Sequence, residues 1–127
     1  MEQKKKILII DDEPQVIKGT PEILKEAGYL VWMAGNAEEA MEKLKAFNPD
    51  LILLDLVLPD QSGFRIAQNI KSLAKYQHIP IIAISLKTEP IDKHIAVKSG
   101  IVEYMEKPVD NDRLLYHVKS ILNPEIK

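Results

Sequence analysis

Residues 7–13 read ILIIDDE: an unbroken apolar run that is β-branched or Leu throughout, followed at once by carboxylates. A short continuous run of this kind predicts a strand buried on both faces, the kind found inside a parallel sheet covered by helices. Leu51–Leu54 (LILL) repeats the pattern and is followed by Asp55. Tyr29 to Ala34, Pro80 to Ser85 and Ile101 to Met105 read as three further strands. Between them lie amphipathic stretches. Residues 14–27 predict a helix with Val16, Ile17, Ile23, Leu24 and Ala27 on one side, closed by Gly28. Asn36 caps a helix over 37–46 with apolar Ala37, Ala40, Met41 and Leu44, and Asn48-Pro49 breaks it. A third helix spans 64–74, with Phe64, Ile66, Ala67, Ile70 and Leu73. A short fourth spans 90–98 and is closed by Gly100. The last follows Asp110, with Leu114, Leu115, Val118, Ile121 and Leu122 at helical spacing.

Five strand–helix units in alternation imply an α/β fold, doubly wound, with right-handed crossovers and helices on both faces. The expected arrangement is (βα)5 with an open parallel sheet of order 2-1-3-4-5. One domain over residues 1–127 is expected. Composition agrees: 46% hydrophobic and 28% charged is globular. A net charge of −2 argues against a nucleic-acid partner, and the basic run Lys4 to Lys6 reads as a solvated lead-in to the first strand. With no cysteine, disulfides, Cys-ligated zinc and thiol catalysis are excluded. No apolar stretch approaches a membrane span or a signal peptide, so a cytoplasmic protein is expected.

Open parallel sheets bind ligands at the carboxyl ends of their strands. The first strand ends at Asp11-Asp12, the third at Asp55 and the fourth at Ser85, and the fifth is followed by Lys107-Pro108. Each group alone is ordinary, since an Asp after a strand often caps a turn. Together, four strands send three carboxylates, a hydroxyl and an ammonium to one rim. Two such carboxylates ~5 Å apart repel by roughly 3 kcal/mol at an effective dielectric of ~20, so the cluster calls for a cation. Donors that are all oxygen favour a hard ion, Mg²⁺ or alternatively Mn²⁺. Such an ion beside a lysine points to phosphoryl transfer, with Asp55 as the nucleophile. His78, His94 and His117 fall away from the strand ends and read as surface or helix residues.

At IDDE (10–13), LLDLVLPDQSGF (53–64), AIS (83–85) and SGIVEYMEKP (99–108) the chain resembles the response-regulator receiver family, which has a flavodoxin-like fold. The resemblance covers essentially the whole chain, and the spacings from Asp55 to Ser85 and from Ser85 to Lys107 also match. It implies a phosphoacceptor switch, not an enzyme in its own right. Asp55 would take a phosphoryl group from a sensor histidine kinase or a phosphotransfer protein. Asp12 and Asp11 would ligate Mg²⁺ with Asp55 and the backbone carbonyl of Val57. Ser85 would move to a phosphoryl oxygen, Lys107 would pair with it, and Tyr104 would turn inward. An output protein would read the face of the fourth helix, fifth strand and fifth helix. Lys107-Pro108 matches a cis peptide of the family.

The chain departs from the family pattern in places. Leu86 stands where Ala or Gly is usual, and its bulk would restrict access to an acyl phosphate. Ile101 replaces an Ala, and Pro21 either kinks the first helix or restarts it. A pseudo-receiver that only docks is the alternative. A haloacid-dehalogenase-type phosphatase would need an Asp at position 57, where Val stands. A flavodoxin-like cofactor binder would need a Ser/Thr-rich turn in place of DDEPQV, and a dinucleotide fold a G-x-G-x-x-G there.

Overall fold

The structure is a computed structural model and describes residues 3–12, 19–58, 62–86 and 99–123. Nine elements run along the described chain: β1 (Lys6–Ile10), α1 (Thr20–Glu26), β2 (Leu30–Ala34), α2 (Ala37–Phe47), β3 (Leu51–Asp55), α3 (Gly63–Ser72), β4 (Ile81–Leu86), β5 (Ile101–Lys107) and α4 (Asn111–Leu122). The predicted helix over 90–98, with His94, lies outside the described residues, as does the segment 13–18 of the predicted first helix.

All strand pairs are parallel, and the sheet order is β2-β1-β3-β4-β5, as the alternation implied. The apolar runs of β1 and β3 are buried throughout because helices cover both faces. On one face Leu8, Ile10, Ile52, Leu54 and Ile81 pack with Ala40 and Leu44 of α2 and Ile66, Ala67 and Ile70 of α3. On the other, Ile7, Ile9, Leu51, Leu53, Ile82, Ile84 and Met105 pack with Leu24 of α1 and Leu114 and Val118 of α4. The twofold alternation of strand side chains sorts neighbouring residues into these two cores. Helix ends follow the sequence signals. The Asn36 side chain accepts from the Glu39 N–H at 2.8 Å, and Asn48 takes a left-handed backbone at the end of α2.

The structure decides between the two readings of Pro21 and corrects the ends of the third helix and the fifth strand. The described part of α1 begins at Thr20 after a left-handed Gly19, with Pro21 in the first turn, where its missing N–H costs nothing; this is a helix start and not a mid-helix kink. The third helix ends at Ser72, and Leu73 is exposed; Tyr76 and Ile79 beyond it enter the core instead. β5 continues two residues past Met105, so Lys107 ends the strand rather than following it. The register of β5 against β4 skips Val102, an irregularity that takes Val102 out of alternation and leaves it 55% exposed. Glu103 and Met105, opposite Ile82 and Ile84, share a face.

Candidate functional site

Asp11 follows the last residue of β1, and its backbone N–H donates to the Ala34 carbonyl at 2.9 Å. That bond carries the β1–β2 pairing one residue past the strand and holds the Asp11 side chain over the rim. Asp55 is the last residue of β3 and pairs with Ile84; the Leu56 N–H then donates to the Ile84 carbonyl at 3.0 Å. The backbone that carries each carboxylate is therefore tied to the neighbouring strand by a ladder hydrogen bond. Each is only 4% exposed, while Asp12, one residue further out, is exposed.

Ligand atoms of Asp11, Asp12 and Asp55 lie within 4.8 Å of one another. Lys107 reaches across from β5 to meet them. Its Nζ donates to Asp55 Oδ2 at 3.1 Å and stands 3.6 Å from Asp11 Oδ2. The other oxygen of Asp55, Oδ1, accepts from the Val57 N–H at 2.9 Å. Burial alone would lower the Lys107 pKa, but the hydrogen bond it donates to Asp55 and the charges of Asp11 and Asp55 outweigh it and raise the pKa above the ordinary 10.5. The ammonium is thus held charged and offsets much of the repulsion that the carboxylates alone would suffer. Three negative charges against one positive leave the cluster two short of neutral, which suits a divalent cation, and the donors are all oxygen.

The structure brings together Asp11, Asp12, Asp55 and Lys107. Val57 stands at the edge of the cluster with an exposed side chain and its N–H turned to Asp55. Ser85 is fully buried on β4, one position beyond the Ile84 that pairs with Asp55. Tyr104 is half-buried on β5 opposite Ala83, short of the rim. The Lys107-Pro108 peptide is cis. His78 is exposed, and His117 on α4 sits 3.6 Å from Glu103 of β5, away from the cluster. The side chain of Leu86 lies outside the described residues.

Gly63, within the stretch LLDLVLPDQSGF (53–64), also belongs to the site, though nothing in its sequence neighbourhood marks it. A Cβ there would lie 2.4 Å from the Asp55 carbonyl oxygen and 2.6 Å from the Leu56 Cα. Its φ is not left-handed, so close approach and not conformational freedom demands glycine. The Gly63 N–H donates to the Leu56 carbonyl at 3.0 Å, and Val57 bridges to Ser62. The start of α3 is thereby seated directly against the backbone that carries Asp55. Ser-Gly before an apolar helical pattern hints at a helix start, but nothing local reveals which backbone it touches.

Comparison with known proteins agrees with this geometry. The family model of the response regulator receiver domain matches residues 7–119. Protein PilH of Pseudomonas aeruginosa is 30% identical over 117 residues, covering 92% of this chain and 97% of PilH. The alkaline phosphatase synthesis transcriptional regulatory protein PhoP of Bacillus subtilis is 34% identical over 118 residues, covering 93% of this chain but 48% of PhoP; the chain spans about half of that relative. Among solved structures, a two-component response regulator from Clostridium difficile is similar with a TM-score of 0.87 at 30% identity, covering 98% of this chain and 100% of that one. A CheY-like receiver domain protein from Methanospirillum hungatei JF-1 gives 0.86 at 28%, covering 97% of each. With the 2-1-3-4-5 sheet and an acidic pocket of three aspartates and a lysine on its rim, the chain belongs to the response-regulator receiver family, a signalling module of two-component systems rather than an enzyme.

Proposed function

We propose that this domain is a phosphoacceptor switch in which Asp55 takes a phosphoryl group from the phosphohistidine of a sensor histidine kinase or a phosphotransfer protein. The observation that carries the reading is the state of the Asp55 carboxylate. It is buried and oriented by the Val57 N–H on one oxygen and the Lys107 ammonium on the other, with Asp11 and Asp12 alongside. A carboxylate oxygen attacks phosphorus, the new O–P bond forms as the donor's N–P bond breaks, and the imidazole leaves with that electron pair and takes up a proton. Lys107 holds its positive charge against the oxygens on which negative charge gathers. Asp11, Asp12, Asp55 and the Val57 carbonyl would hold Mg²⁺, which supplies charge neutralisation to the phosphoryl oxygens when bound. Ser85, buried one position from the partner of Asp55, is then the hydroxyl that turns to the phosphoryl group, and Tyr104 on the next strand follows it inward. That movement alters the surface around β5 and α4, where an output protein would read it.

No helix among the described residues is long and apolar enough to cross a membrane, which fits a domain meeting its partners in water. The test is incubation with acetyl phosphate and Mg²⁺ followed by intact-mass measurement. The expected result is one added phosphoryl group, lost in Asp55→Asn. An unchanged yield in that variant would overturn the assignment, and no phosphorylation of the wild type would favour a docking-only receiver. The relay is tested by NMR of the Tyr104 ring with and without beryllofluoride and Mg²⁺. A shift at Ser85 with an unmoved ring would break the proposed route.

A further inference from the structure

The Thr20 hydroxyl donates a 2.9 Å hydrogen bond to Oδ1 of Asn111, 91 residues further along the chain. Thr20 opens α1 and is almost fully buried; Asn111 opens α4. Each lies downstream of a segment that carries the acidic site. The chain leaves Asp11 and Asp12 and reaches Thr20; it leaves Lys107, passes Pro108, Val109 and the capping Asp110, and reaches Asn111. Asp110 accepts from the Asp112 and Arg113 N–H groups and so caps the first turn of α4. Gly19 takes a left-handed backbone with φ 88, and a Cβ built on it would stand 3.9 Å from the Asn111 amide nitrogen. The amide therefore rests beside the bare face of Gly19.

A buried hydroxyl needs a partner, and any satisfied pair would meet that need. The choice of partner is what matters here. Apolar contact between two helix starts tolerates sliding, whereas a directional bond between two short side chains admits one register. This bond joins the exits of the two segments that hold opposite charges of the site. We propose that Thr20 and Asn111 are positioning residues for Lys107: their hydrogen bond fixes the start of α4 against α1 so that the ammonium stays between Asp11 and Asp55. The functional consequence rests on the phosphoacceptor reading above; the positioning itself does not.

A double-mutant cycle in urea, on metal-free protein, tests the positioning. Changes at residues that share no partner normally add. The Thr20→Val shift in urea midpoint should shrink by half or more when Lys107 is already Met, and Thr20→Ser, which keeps the donor, should show little shift. Equal Thr20→Val shifts in the two backgrounds overturn the proposal. Should Lys107→Met not fold, Lys107→Arg, with the charge on a different stem, takes its place in the cycle. Beryllofluoride binding with Mg²⁺ is the second readout. Thr20→Val should weaken it about fivefold, the equivalent of one net hydrogen bond, and Thr20→Ser should not. If the wild type binds no beryllofluoride yet the urea cycle is non-additive, the positioning stands and the phosphoacceptor reading fails. If the wild type binds it and the cycle is additive, the reverse holds.

Discussion

Replacing Lys107 by Met removes the positive charge that lies between Asp55 and Asp11 and leaves two buried carboxylates facing each other. At an effective dielectric of ~20, opposite charges at the 3.1 and 3.6 Å seen here attract by roughly 5 kcal/mol each. Carboxylate oxygens no more than 4.8 Å apart repel by roughly 3.5 kcal/mol or more on the same scale. Attraction wins in the wild type, and its loss exposes the repulsion. The full Coulombic difference is not realised, because the buried ammonium also ceases to cost desolvation. Breaking a buried pair by removing one partner costs about 3–5 kcal/mol in practice, and that is the expected loss near neutral pH. Urea denaturation in EDTA near neutral pH measures the loss, and Mg²⁺ should recover more stability in the variant than in the wild type. A loss under about 1 kcal/mol would refute the view that Lys107 holds the acidic cluster together.

Asp55→Asn should leave metal-free stability within about 1 kcal/mol of wild type, because relief from Asp11 is offset by loss of the Lys107 contact; thermal melts should also show most of the Mg²⁺ stabilisation gone. A large gain in the metal-free variant would mean the ammonium does little. Gly63→Ala should cost about 2–3 kcal/mol or more in urea denaturation, since the added Cβ meets backbone atoms that cannot swing aside; a cost below about 0.5 kcal/mol would refute the close seating of α3. Because the Lys107 pKa is raised in the folded state, the stability it contributes is complete below the ordinary lysine value of 10.5 and is lost as pH climbs past the raised value. The stability gap between wild type and Lys107→Met should therefore close in strongly alkaline urea titrations. Leu86→Ala should lose its phosphoryl group faster than wild type, followed by mass over time after removal of acetyl phosphate. Leu86 adds apolar bulk next to Ser85, and Val57 has no polar side chain to hold a water. Equal or longer retention in the variant would contradict this.

The order of elements and the rim on which the acids gather were legible in the amino-acid sequence alone. Unbroken runs such as ILII and LILL, spaced by amphipathic stretches, report local burial, and a doubly wound parallel sheet is how such runs are covered on both faces. Asp11, Asp12 and Asp55 stand where those runs stop, so their convergence followed from strand order. Helix caps at Asn36 and Asp110 were legible for the same reason, since a cap acts within one turn. Tertiary structure alone decided the rest. The ammonium of Lys107 meets Asp55 from 52 residues away, and no local pattern tells on which carboxylate oxygen it lands or that it spans to Asp11. Gly63 is required by backbone pressed against it from the end of β3, not by its own φ. Val102 breaks strand alternation because β5 takes an extra residue against β4, a property of the pair and not of either strand. Thr20 and Asn111 are unremarkable polar residues until folding places one helix start on the other. Hydrophobic period is a signal between neighbours in the chain, whereas charge pairing, close approach and register act through space, and their partners exist only once the sheet has closed.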